Sequence, residues 1–146
     1  MLCNMAIYKR FEDLPVCQEA ARLYNCALDL LQTEKLLLGS GSRFQFERAA
    51  LSVSNNIAEG FERLTPGELR NFLVIARGSA GEVRSMVGVI VKRGEVREHV
   101  SRLQEIRSIA ESCARQLGAW LQTVDGSKPA RLFSRSSNSP KGSHRN

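Results

Sequence analysis

Aromatic side chains are scarce in this chain of 146 residues: six Phe, two Tyr and one Trp make up 6% of it. Sheets lean on aromatic and β-branched residues, whereas the Ala, Leu, Arg, Glu and Ser that dominate here suit helices. Long apolar runs are also missing. The longest, such as Leu36-Leu37-Leu38 and Val89-Ile90-Val91, fall far short of the roughly 20 residues that span a bilayer. The opening residues, Met1 to Met5, carry neither the basic flank nor the apolar stretch of a signal peptide, so neither a membrane-spanning nor a secreted protein is expected.

Metal-binding and catalytic patterns are thin as well. Histidine is limited to His99, in a stretch read as outward-looking, and His144. No H-E-x-x-H pattern and no metal carboxylate pair accompanies them. The cysteines Cys3, Cys17, Cys26 and Cys113 form no C-x-x-C pair; the last three fall in helical patterns, where a reduced thiol is a small core residue. That usage points to a reducing cytoplasm. Gly39-Ser40-Gly41-Ser42 lacks the lysine and the preceding strand of a phosphate loop. Glu59 and Glu62 read as part of a solvated helix face, not as an acid/base pair. Neither an enzyme nor a cofactor is expected.

What is present is helical patterning and unevenly placed charge. The net charge is +6, yet residues 126–146 alone hold Lys128, Arg131, Arg135, Lys141 and Arg145 with no acid. Periodicity and punctuation predict four helices, at about 15–37, 43–63, 66–92 and 95–124. The first should be capped by Asp13 with Pro15 in its opening turn, and bury Val16, Ala20, Leu23, Ala27, Leu30 and Leu31. Ser42 and Gln45 fit a capping box for the second, whose stripe is Phe46, Ala49, Ala50, Val53 and Ile57. Thr65-Pro66-Gly67-Glu68 opens the third more strongly, and its inner face reads Leu69, Phe72, Ala76, Ala80, Val83, Val87 and Ile90. The fourth repeats near heptad spacing through Val96, Leu103, Ile106, Ala110, Cys113, Leu117 and Leu121. The expected fold is all-α, an up-and-down four-helix bundle over residues 1–125, followed by a basic, disordered tail over 126–146.

Three features ask for more than core packing. Asn55 and Asn56 sit mid-helix, where an amide competes for the backbone, so hydrogen bonds across helices or subunits are expected of them. Arg70, Arg77 and Arg84 recur every seven residues, which drifts only about 20° per step, and form one ridge beside the core stripe. They could bind phosphates or pair with acids of a neighbouring subunit. Gly78, Ser79, Gly81 and Gly88 leave the same helix nearly bald, which suggests that another chain packs there.

The run Arg48-Ala49-Ala50-Leu51-Ser52-Val53-Ser54-Asn55-Asn56-Ile57-Ala58-Glu59-Gly60-Phe61-Glu62-Arg63 closely resembles the "RRAA-S-I-x-x-NIAEG-x-x-R" signature of the four-helix-bundle family encoded in intervening sequences of bacterial large-subunit ribosomal RNA genes. Phe72 to Ser79 resembles the family's "FL-x-x-ARGS" motif, with Glu82 following, and Phe11 to Val16 its "F-x-DL-x-VW" opening. Cys17 stands where the usual Trp would be, Phe46-Glu47 replaces the basic position before Arg48, and Gly39-Ser40-Gly41 replaces a Pro-containing connection. The family includes Avd, the accessory variability determinant of diversity-generating retroelements. Leu117-Gly118-Ala119-Trp120-Leu121 and the basic tail look more like that branch.

The resemblance implies a homopentameric barrel without enzymatic activity. In the Avd branch it implies binding of RNA and DNA and association with the element's reverse transcriptase during mutagenic copying of template RNA. On that reading Arg70, Arg77, Arg84, Arg131 and Arg135 contact nucleic acid. Arg48, Asn55, Asn56, Glu59, Gly60, Arg63, Gly78 and Ser79 belong to the structural or oligomer motif. The alternative is an intervening-sequence protein with a structural or interaction role.

Overall fold

The computed structural model describes residues 8–33, 36 and 38–124. Among these every regular element is helical: α1 (Pro15–Leu31), α2 (Ser40–Phe61), α3 (Pro66–Ile90) and α4 (Val100–Val124), with short 3₁₀ stretches at Phe11–Asp13 and Gly94–His99. Helix α1 packs against α2 and α4, and α3 packs against the same two, the square of neighbours expected of an up-and-down four-helix arrangement. The expected tail, with Arg131 and Arg135, lies outside the described residues.

The apolar stripes meet in one core. Ala20, Leu23, Ala27, Val53, Ile57, Ala80, Val83, Leu103, Ala110 and Leu117 are wholly buried, and Trp120 closes one end at 1% exposure. Alanines at four of these ten positions let the helices approach closely, while the leucines interdigitate between them.

Helix ends depart from the sequence reading in informative ways. Asp13 does not cap α1: it lies in the preceding 3₁₀ turn, and the cap position falls to Leu14, with Pro15 at the first helical residue. The Ser42–Gln45 box does not form either, because α2 starts three residues earlier behind Gly39 and carries Ser42 inside its first turn. The Thr65 cap is present. Its hydroxyl accepts the Glu68 amide at 3.3 Å and donates to the Glu68 carboxylate at 2.6 Å.

Helix α1 ends at Leu31, six residues before the expected stop. The cause lies in α2. The Arg43 guanidinium donates to the carbonyl oxygens of Leu31, Leu36 (2.6 Å) and Leu38 (3.3 Å), holding the connection where a longer helix would have run. One planar fork thus takes up the last carbonyl of α1 together with two from the connection that follows it. Arg43→Ala should destabilise the fold by about 2 kcal/mol, the scale of a hydrogen bond to a charged group. Arg43→Lys should not restore it, since an ammonium cannot reproduce the fork. Urea unfolding of the three proteins checks both.

Two residues lie on the other side from that expected. His99 is buried at 7% exposure, not outward, because residues 94–99 form a 3₁₀ stretch and α4 begins only at Val100. With three residues per turn, His99 eclipses Val96, itself fully buried, and follows it into the core. On α3 the buried residue is Leu73, while Phe72 and Leu69 are only half-buried.

The helix-borne cysteines behave as core thiols. Burial pushes Cys17 and Cys26 above the usual thiol range and Cys113, with no exposed surface, up to about 12. At pH 8 that leaves about one Cys113 in ten thousand as thiolate, the nucleophilic form. Iodoacetamide at pH 8 should therefore spare Cys113 in the folded protein and label it promptly in denaturant, as peptide mapping would show. The linkage has a definite sign. A raised folded-state pKa means that stability held below the unfolded thiol value of about 8.5 is lost as pH climbs towards 12.

Candidate nucleic-acid interface

The arginine ridge of α3 opens onto α4. Arg77, Gly78, Gly81 and Arg84 form one wall of an open groove, and Glu111, Ala114 and Arg115 of α4 form the other. Three guanidinium groups therefore face one carboxylate. The Arg77 side chain extends over Gly118: a Cβ there would lie 3.7 Å from the guanidinium carbon. Arg84 approaches Glu111 at 3.9 Å, beyond hydrogen-bond length, and its Nε is buried without a hydrogen-bond partner. Arg70 continues the ridge by sequence and lies outside the groove lining.

Arg115 and Glu111 were not singled out by sequence. The signal is visible in retrospect: Glu111, Arg115 and Gly118 follow the four-and-three spacing of one α4 face. Which α3 residues that face meets depends on how the two helices are set against each other.

The signature residues on α2 divide between two faces. Asn56 makes the inter-helix link expected of it, through Ser52. Its amide donates to the Ser52 carbonyl (2.8 Å) and hydroxyl (3.0 Å), and the Ser52 and Ser79 hydroxyls are 2.8 Å apart. Ser79 gives its single hydroxyl proton to the Ile75 carbonyl at 3.0 Å, so Ser52 must be the donor between the two serines. The chain of donors runs one way from α2 to α3. Glu59 and Arg63 form an ion pair one turn apart, and the Arg63 guanidinium sits over the Phe72 ring, 4.9 Å from its centroid. That stacking accounts for the half-buried Phe72. Gly60 lets α2 and α3 touch, because a Cβ there would lie 3.0 Å from the Phe72 Cβ.

Asn55 makes no such link. It is exposed beside Arg48, with Phe44 and Leu51 on the same face at 62% and 37% exposure. Gly78 also points outward, with nothing within 4 Å of where a Cβ would be.

Glutamate and histidine positions complete the picture. Among the described residues no group of His, Cys, Asp or Glu is placed to hold a metal ion, and no helix is long and apolar enough to cross a membrane.

An α2–α3 hairpin with its own polar relay, flanked by an arginine-lined groove, is the part of the fold that carries two of the three signature motifs. Residues 12–119 match the 23S rRNA-intervening sequence protein family. The chain belongs to that family, as its motifs led one to expect. Comparisons with curated proteins and with solved structures return no match.

Proposed function

We propose that this chain is a non-catalytic accessory protein of the Avd type, which binds RNA and DNA and partners the reverse transcriptase of a diversity-generating retroelement. It acts in the cytoplasm as a homopentamer, and the polymerase performs the chemistry. The observation that carries the reading is the groove between α3 and α4, where Arg77, Arg84 and Arg115 converge against a single Glu111. Five copies around a ring would multiply that modest local charge and present repeated phosphate contacts. Arg131 and Arg135 would add contacts from the tail, and Arg70 from the end of the ridge.

Binding of this kind is driven by counterion release, so the logarithm of affinity falls linearly with the logarithm of salt concentration. A titration of labelled RNA with the full chain should show at least a tenfold loss between about 50 and 200 mM salt. Affinity that does not change with salt would sink the electrostatic reading. Copurification with the reverse transcriptase tests the partnership separately.

A second reading, a structural or interaction role within the family, is favoured by the arginines already engaged inside the protomer, Arg63 with Glu59 and Arg84 with Glu111. Arg77→Ala with Arg84→Ala separates the two. Loss of RNA binding by an intact oligomer supports the first reading, whereas collapse of the oligomer with RNA binding per intact ring unchanged supports the second.

A further inference from the structure

The groove's lining is as informative as its charge. Apart from the arginines and Glu111 it offers Val74, Leu121, Ala114 and two glycines, with no aromatic ring to stack a base and no amide to read a base edge. Single-stranded sites that hold bases use aromatic platforms, and duplex readers use bidentate side chains inserted at base edges. The groove has no aromatic platform, and its arginines, which can serve at base edges, are also the side chains that hold phosphates. What the groove can do is lie close against a charged backbone. Gly78 and Gly81 leave its α3 wall bare, and Arg77 and Arg84, seven residues apart, are separated by about 10 Å along the helix.

Arg84 and Glu111 are mismatched partners. The pair is long at 3.9 Å, both side chains are partly exposed, and the Arg84 Nε is unsatisfied. A phosphate oxygen reaches a guanidinium at about 2.7–2.9 Å and takes two parallel donors. It would therefore pair with the Arg84 terminal nitrogens more closely than Glu111 does at 3.9 Å, while the Glu111 carboxylate repels it.

Building on the nucleic-acid reading above, we propose that Glu111 is a built-in counter-ion of the α3–α4 groove, which the phosphodiester backbone of a bound nucleic acid displaces from Arg84. Glu111 sets the threshold. It keeps the groove from holding small or sparse anions, and only a run of phosphates that also engages Arg77 and Arg115 outcompetes it.

The test uses the full chain with a labelled oligouridylate and the matching oligothymidylate, each titrated over a range of salt. The proposal expects the two to bind within about threefold of each other. Glu111→Gln should tighten both by about two- to fivefold, the scale of a solvent-exposed ion pair. Glu62→Gln on the exposed side of α2 removes the same formal charge away from the groove and should change little. Arg77→Ala and Arg115→Ala should each lower the salt slope by about one for each groove engaged. Circular dichroism and thermal melts establish that every variant is folded.

Glu111→Gln no tighter than Glu62→Gln overturns the role of Glu111. A preference above tenfold for the RNA oligomer overturns displacement of Glu111 by the phosphates as the basis of binding. An unchanged slope in both arginine variants, with wild-type binding intact, removes the groove and leaves the nucleic-acid reading standing on the tail or another face. Absence of salt-sensitive binding by the wild type overturns both.

Discussion

Replacing Gly78, Gly81 and Gly88 together with alanine should stabilise the protomer by about 2–3 kcal/mol, because each glycine in a helix interior is disfavoured by about 1 kcal/mol relative to alanine. Nothing lies within 4 Å of where any of the three new Cβ atoms would sit, so no packing penalty opposes the gain. The protomer has no use for these glycines. If α3 packs against a second chain, the same variant should come apart into protomers, since three methyl groups would hold the helices off each other. Urea unfolding reads the first effect and sedimentation velocity the second. Greater stability with an undisturbed oligomer would place the subunit contact elsewhere. The groove gives the glycines separate duties: Gly78 and Gly81 line it and Gly88 does not. Gly88→Ala alone should therefore spare RNA binding, while Gly78→Ala with Gly81→Ala should weaken it by narrowing the approach to Arg77 and Arg84.

The core was largely legible in sequence, and the helix ends were not. Stripes such as Val53–Ile57 and Ala76–Ala80–Val83–Val87 are set by a period of 3.6 residues, and many positions vote for one phase. Caps rest on one or two residues. Ser42 lost its role when α2 started three residues earlier, and Asp13 when a 3₁₀ turn took it up. The Thr65 cap held because proline at the first helical position and Glu68 at the third both favour the same start. Phe72 and Leu73 lie about 100° apart round the helix, on either side of the stripe's centre, and choosing between them needed a fact from outside α3, the Arg63 guanidinium that covers the Phe72 ring.

The candidate site was half legible for a related reason. A seven-residue spacing puts Arg77 and Arg84 on one ridge whatever the tertiary structure. Bringing Arg115 and Glu111 opposite them requires the register of α4 against α3, which no local pattern encodes. Arg43 is the same kind of omission. Its spacing is unremarkable, and only the fold brings the carbonyls of Leu31, Leu36 and Leu38 within its reach.

Gly60→Val should have the opposite sign to the α3 glycines, destabilising the fold by about 3 kcal/mol or more. A Cβ at Gly60 would meet the Phe72 Cβ at 3.0 Å, the Leu69 Cδ1 at 3.3 Å and the Leu69 carbonyl oxygen at 3.4 Å. Only the leucine methyl can swing away; the other two atoms move only if α3 moves. Gly60→Ala is the informative comparison, because its helix-propensity gain of about 1 kcal/mol opposes a contact that must yield by a few tenths of an ångström. The two nearly cancel. Valine adds two more methyl groups to the same gap and lowers the propensity gain, so the balance tips. Separating α2 from α3 there would also lift Arg63 off Phe72 and stretch the 2.8 Å Ser52–Ser79 hydrogen bond further along the same seam. Urea unfolding of the three proteins should therefore rank Gly and Ala close together with Val well below. A valine variant as stable as the parent would mean that close approach of α2 and α3 is not what requires glycine at this position.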